Sequence, residues 1–221
     1  MIMDLQPLYL SARLAFISTA ALMLLVTPLA YLLAYFRFRG KVLLDALISL
    51  PLVLPPTVLG FYLLVAMGPR SPVGHIFQAI FGMPLVFSFT GIVIASMLHS
   101  LPYAAQPLKA AFEKIDPRLL ESSYVLGVSP AATFFRVVLP NSVGGLAAAA
   151  ILAFAHTMGE FGVILMVGGS IPGETKVASI AVFELVESLK YREAWRLSLA
   201  LMAISYCILL GVNFINNRER P

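Results

Sequence analysis

Charged side chains are scarce in this sequence of 221 residues. Only 12% of the residues are Asp, Glu, Lys or Arg, about half the share found in an average soluble domain, whereas 60% are hydrophobic. This composition excludes an ordinary soluble domain. It predicts one membrane domain over residues 1–221, with a core between residues 14 and 215.

The sequence also contains a single cysteine and no P-loop motif for nucleotide binding. The one cysteine, Cys207, lies in an apolar run, so an internal disulfide and a cysteine-rich metal site are excluded. No GxxxxGK[ST] pattern occurs, so the chain lacks the usual P-loop for ATP. The net charge of +4 suits loops beside anionic lipid, but no dense basic patch with interleaved aromatics points to nucleic acid.

Five apolar segments are long enough to cross a bilayer as helices. The second contains Pro51, Pro55 and Pro56, which predicts a bent or broken helix. A sixth apolar run, 177–186, is too short to cross and is interpreted as re-entrant or interfacial. The predicted class is therefore an all-α membrane protein. The five segments are 14–36, 46–67, 89–108, 143–167 and 195–215.

The most informative loop is 109–140, which carries its own helix signals. Asp116 can cap a helix that begins at Pro117, and Gly127 stands where such a helix would end. A second helix start follows at Ser129, and Pro140 predicts a break or kink before the fourth apolar segment. The sequence therefore predicts a short surface helix, a glycine hinge and a second helix that leads back into the bilayer.

The distribution of Lys and Arg predicts the orientation of the chain. Nine of the 15 Lys and Arg residues lie in 37–41, 109–136 and 218–220, and six lie in the loops of the opposite side. Because positive residues favour the cytoplasmic side, the N-terminus is predicted outside, with the 109–140 loop and the C-terminus in the cytoplasm.

Glu160 is an ionisable residue within the fourth apolar segment, flanked by Gly159 and Gly162. Its insertion costs about 2.5–3.5 kcal/mol, so it should face protein or water. On a continuous helix His156 would share its face and pair with it. Three interpretations are open: a clamp between helices, a gate or substrate path, and a metal site or proton relay. The metal interpretation has the least support because it needs a third ligand, and His99 is the other intramembrane histidine; no metal site is predicted.

The 109–140 loop resembles the EAA loop of ABC-importer permeases. The shared register is Glu121, then Gly127, then Leu139-Pro140, with Ser122 and Ser123 where the family usually has two alanines. In that family the loop is the cytoplasmic coupling helix that enters a cleft in the ATPase subunit. The resemblance implies ATPase coupling by Pro117, Glu121, Ser122, Ser123, Gly127, Leu139 and Pro140.

Three further stretches resemble the molybdate permease branch of that family. They are LPLVLPPT at 50–57, GEFG at 159–162 and IPGET at 171–175. Sulfate permeases have a similar GE-aromatic-G stretch but differ at IPGET. One departure is His156, where relatives often have Arg. The gate or translocation path implied by motif placement comprises His156, Gly159, Glu160, Phe161, Gly162, Pro55, Pro56 and Thr57.

The resemblance also implies a fold, an assembly and a function. The expected fold is that of a type I ABC importer permease, located in a bacterial or archaeal cytoplasmic (inner) membrane. The expected partners are a second copy of the chain, two ABC ATPase subunits that use ATP and Mg²⁺, and a periplasmic or lipid-anchored molybdate-binding protein. The chain itself would be non-catalytic and bind no cofactor, while it passes molybdate, or tungstate, inward by alternating access.

Other functions were weighed against this expectation. A sulfate or thiosulfate permease would share the fold. A proton-coupled secondary transporter would use the pair Glu160 and His156, but it leaves the EAA-like loop unexplained, and no internal repeat is visible. An intramembrane metalloenzyme would use His99 as a third ligand, but no HExxH, Ser/Lys or paired-Asp pattern accompanies it.

Overall fold

The structure, a computed structural model, describes the backbone of residues 4–218 and the side chains of residues 4–211. Over that range the chain is helical and no strand is present, so the predicted all-α class is confirmed. Of the C-terminal charges that entered the orientation argument, Arg220 and the side chain of Arg218 lie outside the described residues. The helices are α1 (Gln6–Tyr35), α2 (Lys41–Ser49), α3 (Pro56–Met67), α4 (Pro72–Phe81), α5 (Phe89–Glu113), α6 (Pro117–Val125), α7 (Pro130–Thr133), α8 (Leu139–Asn141), α9 (Val143–Met158), α10 (Gly162–Gly168), α11 (Ala178–Glu187) and α12 (Tyr191–Arg218).

Two helices are long and apolar enough to cross a membrane unaided: α1 over Gln6–Tyr35 and α12 over Tyr191–Gly211. Two bent pairs also qualify, Lys41–Leu52 with Pro56–Met67 at 113° and Pro130–Asn141 with Val143–Met158 at 74°. The 113° bend confirms that the proline-rich second segment is broken. Helix α5 is about 37 Å long, which suffices to cross, but it is less apolar. The exact number of five spans stays a prediction.

Several element boundaries differ from the sequence expectation. Helix α1 begins before residue 14 and α12 before residue 195, and the helices α2 and α4 were not predicted. Helix α4 is capped by Ser71, whose hydroxyl accepts the backbone N–H of Gly74 at 2.9 Å. Helix α2 is fixed from a distance, because the Gln106 side chain on α5 donates to Asp45 at 3.1 Å. Such non-local contacts have no signature in the local sequence.

The fourth apolar segment, 143–167, is interrupted between α9 and α10, where the glycines that flank Glu160 permit local unwinding. Residues 159–161 are not helical, and Phe161 has φ −126° and ψ −64°, outside helical values. The N–H groups of Gly159 and Glu160 donate to His156 and Thr157 carbonyls, both at 3.3 Å. These hydrogen bonds between residues three apart satisfy two of the last carbonyl groups of α9, and the helix ends there.

The largest buried cluster lies where α1, α5 and α9 pack against one another. Its largest fully buried side chain is Phe112. Helix α10 packs mainly on α3 and also on α5, so the two halves of the fourth apolar segment have different principal neighbours. A separate buried cluster joins α1, α5, α10 and α11, and comprises Leu10, Leu14, Ile92, Ile164, Val177 and Ile180.

Candidate functional site

Helices α6 and α7 in the 109–140 loop begin where the capping signals predict. The Asp116 carboxylate accepts the N–H of Arg118 at 3.0 Å, and Pro117 is the first residue of α6. Gly127 has φ +73°, in the left-handed region that favours glycine, and ends the turn after α6. The Ser129 hydroxyl accepts the N–H of Ala132 at 3.3 Å at the start of α7. The predicted sequence of helix, glycine and helix is confirmed.

A buried hydrogen bond joins these two helices. The hydroxyls of Ser123 and Thr133 lie 2.7 Å apart, and both side chains are buried. Ser123 is one of the two serines that replace the family's alanines, so here the substitution adds a bond between α6 and α7. Sequence reasoning missed Thr133, because its place opposite Ser123 follows from the turn geometry rather than from a motif.

The tip of the loop is an exposed apolar surface. Val125 and Leu126 are 86% and 79% exposed, and Tyr124 beside them is about half exposed. Glu121 and Ser122 lie on the same helix and are exposed too. Adjacent exposed apolar side chains rimmed by polar ones are typical of a protein contact surface.

The end of the loop contains a π-helical turn over Phe134–Val138, directly before Leu139 and Pro140. Proline lacks an N–H and its ring crowds the carbonyl four residues earlier, and a widened turn accommodates both effects. The predicted kink before the fourth apolar segment is confirmed. The 74° bend follows at Ser142, two residues after Pro140.

Glu160 is buried where the fourth apolar segment is interrupted. Its side chain is 1% exposed, and one carboxylate oxygen, Oε1, lies 3.1 Å from Nδ1 of His99 on α5. The other oxygen, Oε2, has no hydrogen-bond partner among the described residues. The backbone carbonyl of Glu160 accepts the hydroxyl of Ser179 on α11 at 2.6 Å. Glu160 thus links α9, α5 and α11.

The predicted pair of His156 and Glu160 is wrong, because α9 ends at Met158 and the two side chains do not share a helix face. Nδ1 of His156 lies 3.0 Å from the Ser100 hydroxyl, which also lies 2.9 Å from the Thr157 hydroxyl. The His156 ring stacks on Tyr103, with a centroid distance of 3.9 Å. The partner of Glu160 is instead His99 on α5, 61 residues earlier in the chain.

His99, His156 and Glu160 each offer one atom that could bind a metal ion, and these three atoms all lie within 4.8 Å of one another. Sequence reasoning named these three residues but placed two of them on one helix and left His99 apart. The structure brings them together because α5 packs along α9. We call this group the His–His–Glu cluster.

The remaining predicted gate residues form a second contact. A Cβ atom on Gly162 would lie 2.9 Å from Cβ of Pro56, so α3 and α10 touch where glycine leaves room. Pro55, Pro56 and Thr57 are exposed in the single chain. Phe161, beside Gly162, packs on Phe183 of α11, with ring centroids 5.0 Å apart. The broken second segment and the interrupted fourth segment therefore meet.

The 171–175 stretch is a tight turn held by Thr175. Its hydroxyl accepts the N–H of Ile171 at 3.0 Å and donates to the Gly168 carbonyl at 2.8 Å. Thr175 is completely buried. Part of the IPGET pattern is thus explained by local folding and not by a ligand.

These features define a multi-pass membrane permease with the fold of a type I ABC importer subunit. A bacterial ABC transporter involved in alginate import matches 98% of this chain and 80% of its own, with TM-score 0.79. The MetNI methionine ABC transporter matches 97% and 94%, with TM-score 0.73. Both are 16% identical in sequence, so they establish the fold alone.

Sequence comparison gives the family. Residues 26–218 match the model of binding-protein-dependent transport system inner membrane components, and the chain belongs to that family. The predicted ABC-importer permease and its multi-pass location in the inner membrane are thereby confirmed.

Similar proteins come from two transport systems. The chain is 46% identical over 209 residues to the molybdenum transport system permease protein ModB of Azotobacter vinelandii, covering 95% of this chain and 92% of that one. It is 38% identical over 159 residues to ModB of Escherichia coli (strain K12), covering 72% and 69%. It is 30% identical over 190 residues to the sulfate transport system permease protein CysT of Salmonella typhimurium, covering 86% and 68%.

Proposed function

We propose that this chain is the permease subunit of an ATP-driven importer for molybdate, with tungstate as a second candidate substrate. The observation that carries the proposal is the 46% identity, along almost the whole chain, to a molybdenum transport permease. The lower identity to a sulfate permease, 30%, makes sulfate the alternative substrate.

The proposed assembly contains two copies of this chain, two ABC ATPase subunits and a periplasmic or lipid-anchored molybdate-binding protein. Two features support the ATPase contact: the exposed apolar tip at Tyr124–Leu126 and the absence of a P-loop from this sequence. ATP and Mg²⁺ would act in the ATPase subunits. The orientation proposed from the positive charges places this tip in the cytoplasm.

The proposed mechanism is alternating access, in which ATP-dependent closure of the ATPases moves α6. The Ser123–Thr133 hydrogen bond transmits that motion to α7, and the continuous run Pro130–Asn141 passes it to α9. Glu160 lies in the middle of the interruption after α9. There the motion changes the contact of α10 with Pro56 on α3, which reshapes the path between the two copies.

The experiment that tests this function compares cellular molybdenum and tungsten by mass spectrometry in cells with and without the chain, at trace oxyanion and excess sulfate. Deletion should abolish molybdenum accumulation, and the wild-type chain should restore it. Gly127→Pro should insert but fail to restore uptake, because proline fixes φ near −65° where the structure has +73°.

Gly127→Asn is the matched control. Asparagine tolerates the left-handed region, so this variant should retain most of the uptake. Full uptake by the Gly127→Pro variant, with normal expression, would contradict coupling through this turn. Unchanged molybdenum together with lost sulfate uptake would transfer the assignment to sulfate.

A further inference from the structure

In the His–His–Glu cluster, one carboxylate oxygen of Glu160 has a lone pair that no hydrogen bond among the described residues uses. The Glu160 side chain is 1% exposed, yet its Oε2 has no partner among the described residues. A buried carboxylate oxygen without a partner is unfavourable, because the water that solvated it in the unfolded chain is not replaced. The described neighbours offer no arginine or lysine at salt-bridge distance to compensate it. A bound cation would supply the missing interaction.

The chemistry of the donors selects the class of cation. Two imidazoles and one carboxylate are the ligand set of open zinc sites, which use three protein ligands and one exchangeable position. Hard cations such as Mg²⁺ and Ca²⁺ prefer oxygen ligands alone. The cluster therefore suits a borderline-soft divalent ion, with Zn²⁺ as the common case.

The distances are close to what such an ion needs. Tetrahedral bonds of about 2.1 Å place neighbouring ligand atoms about 3.4 Å apart. Nδ1 of His99 and Oε1 of Glu160 lie 3.1 Å apart, and one candidate ligand atom from each of the three residues lies within 4.8 Å of the others, so a small adjustment of the side chains would bring all three into range. His156 is the partly exposed member of the cluster, which gives an ion a route inward.

We infer that His99, His156 and Glu160 form a binding site for Zn²⁺ or a similar divalent transition-metal ion. The site would join α5, the end of α9 and the interruption after it. If the alternating-access function proposed above is right, the ion holds these parts in one arrangement and inhibits transport. Metal binding itself does not depend on which oxyanion is carried.

The test measures binding first and transport second. The full-length chain, purified in detergent with an affinity tag that lacks histidine, is equilibrated with Zn²⁺ alone, dialysed and analysed for zinc per chain. We expect about one zinc ion per chain. Replacing zinc by Co²⁺ should give the intense visible absorption of a tetrahedral Co²⁺ site.

Glu160→Gln and His156→Gln should each weaken zinc binding by at least about a hundredfold, since loss of an outer-shell partner alone costs about tenfold to a hundredfold. His75→Gln is the matched control, because His75 is the remaining histidine and is exposed on α4, outside the cluster. It should bind zinc like the wild type. Should Glu160→Gln fail to fold, the partly exposed His156 position decides the question by itself.

Absence of retained zinc in the wild type, or equal affinity of the His156→Gln variant, would overturn the site. Zinc binding that leaves oxyanion uptake unchanged would preserve the site and contradict its inhibitory effect. Loss of the proposed molybdate function would show separately, in the uptake of cells grown without added zinc.

Discussion

Ser123 shows how one side chain can adapt a family pattern. Its hydroxyl lies 2.7 Å from that of Thr133, and both groups are buried. Thr133→Val removes one partner and leaves the other buried and unpaired, which costs about 1–3 kcal/mol. We expect this variant to lower the melting temperature and to weaken the coupling of ATP hydrolysis to uptake several-fold in reconstituted vesicles.

The double variant Ser123→Ala/Thr133→Val is the decisive companion, since it removes both hydroxyls. It should recover most of the stability, because no polar group is left unsatisfied. Ser122→Ala is the matched control: the exposed Ser122 hydroxyl donates only within its own helix, to the Arg118 carbonyl. Equal melting temperatures for the single variant, the double variant and the wild type would contradict the role of this bond.

At the same scale, the sequence showed which residues were unusual but not which of them meet. Glu160 stood out because an ionisable group at that depth is costly. Its contact with His99 could not be predicted, because it depends on the packing of α5 along α9 and on the end of α9 at Met158. The assumption of helical spacing instead gave the wrong partner, His156.

At the scale of elements, the contact of α3 with α10 depends on Gly162. A methyl group there would approach Cβ of Pro56 to 2.9 Å, so Gly162→Ala must push the two helices apart. We expect Gly162→Ala to reduce uptake at least about tenfold, since a displacement on the order of 1 Å in a functional site is costly.

Gly211→Ala provides the comparison for this prediction, because a Cβ atom there has nothing within 4 Å and Gly211 lies on α12, outside the proposed gate. It should transport at close to the wild-type rate. Uptake and expression should be measured together by immunoblot and metal analysis. Similar activity of the two variants would show that the helix contact at Gly162 does not matter for transport.

Local signals made α6 and α7 predictable, whereas α4 was missed although Ser71 caps it and Pro72 is its first residue. Helices α6 and α7 followed from Asp116, Gly127 and Ser129, because caps act within three residues of the helix end. Helix α2 lacked a side-chain cap and is fixed by Gln106 from α5. The prolines of the second apolar segment predicted that it is broken, but they did not predict the angle of 113°.

For the whole molecule, the orientation can be tested with the single cysteine. In a Cys207→Ser background, Tyr124→Cys and Glu174→Cys each introduce one thiol at an exposed position. A membrane-impermeant maleimide should label Glu174→Cys in intact cells and Tyr124→Cys only after lysis. The reverse pattern would invert the orientation proposed from the positive charges.

The interruption after Met158 also has a mechanical consequence for the molecule. Helix α9 packs with α1 and α5, whereas α10 packs chiefly on α3. The fourth segment therefore consists of two helices joined by a short non-helical turn, rather than one continuous helix. Under the proposed mechanism, a displacement that enters at Pro130 would move α9 relative to α10. Glu160 lies at this joint, so its contacts with His99 and Ser179 would then determine how easily the two helices move relative to each other.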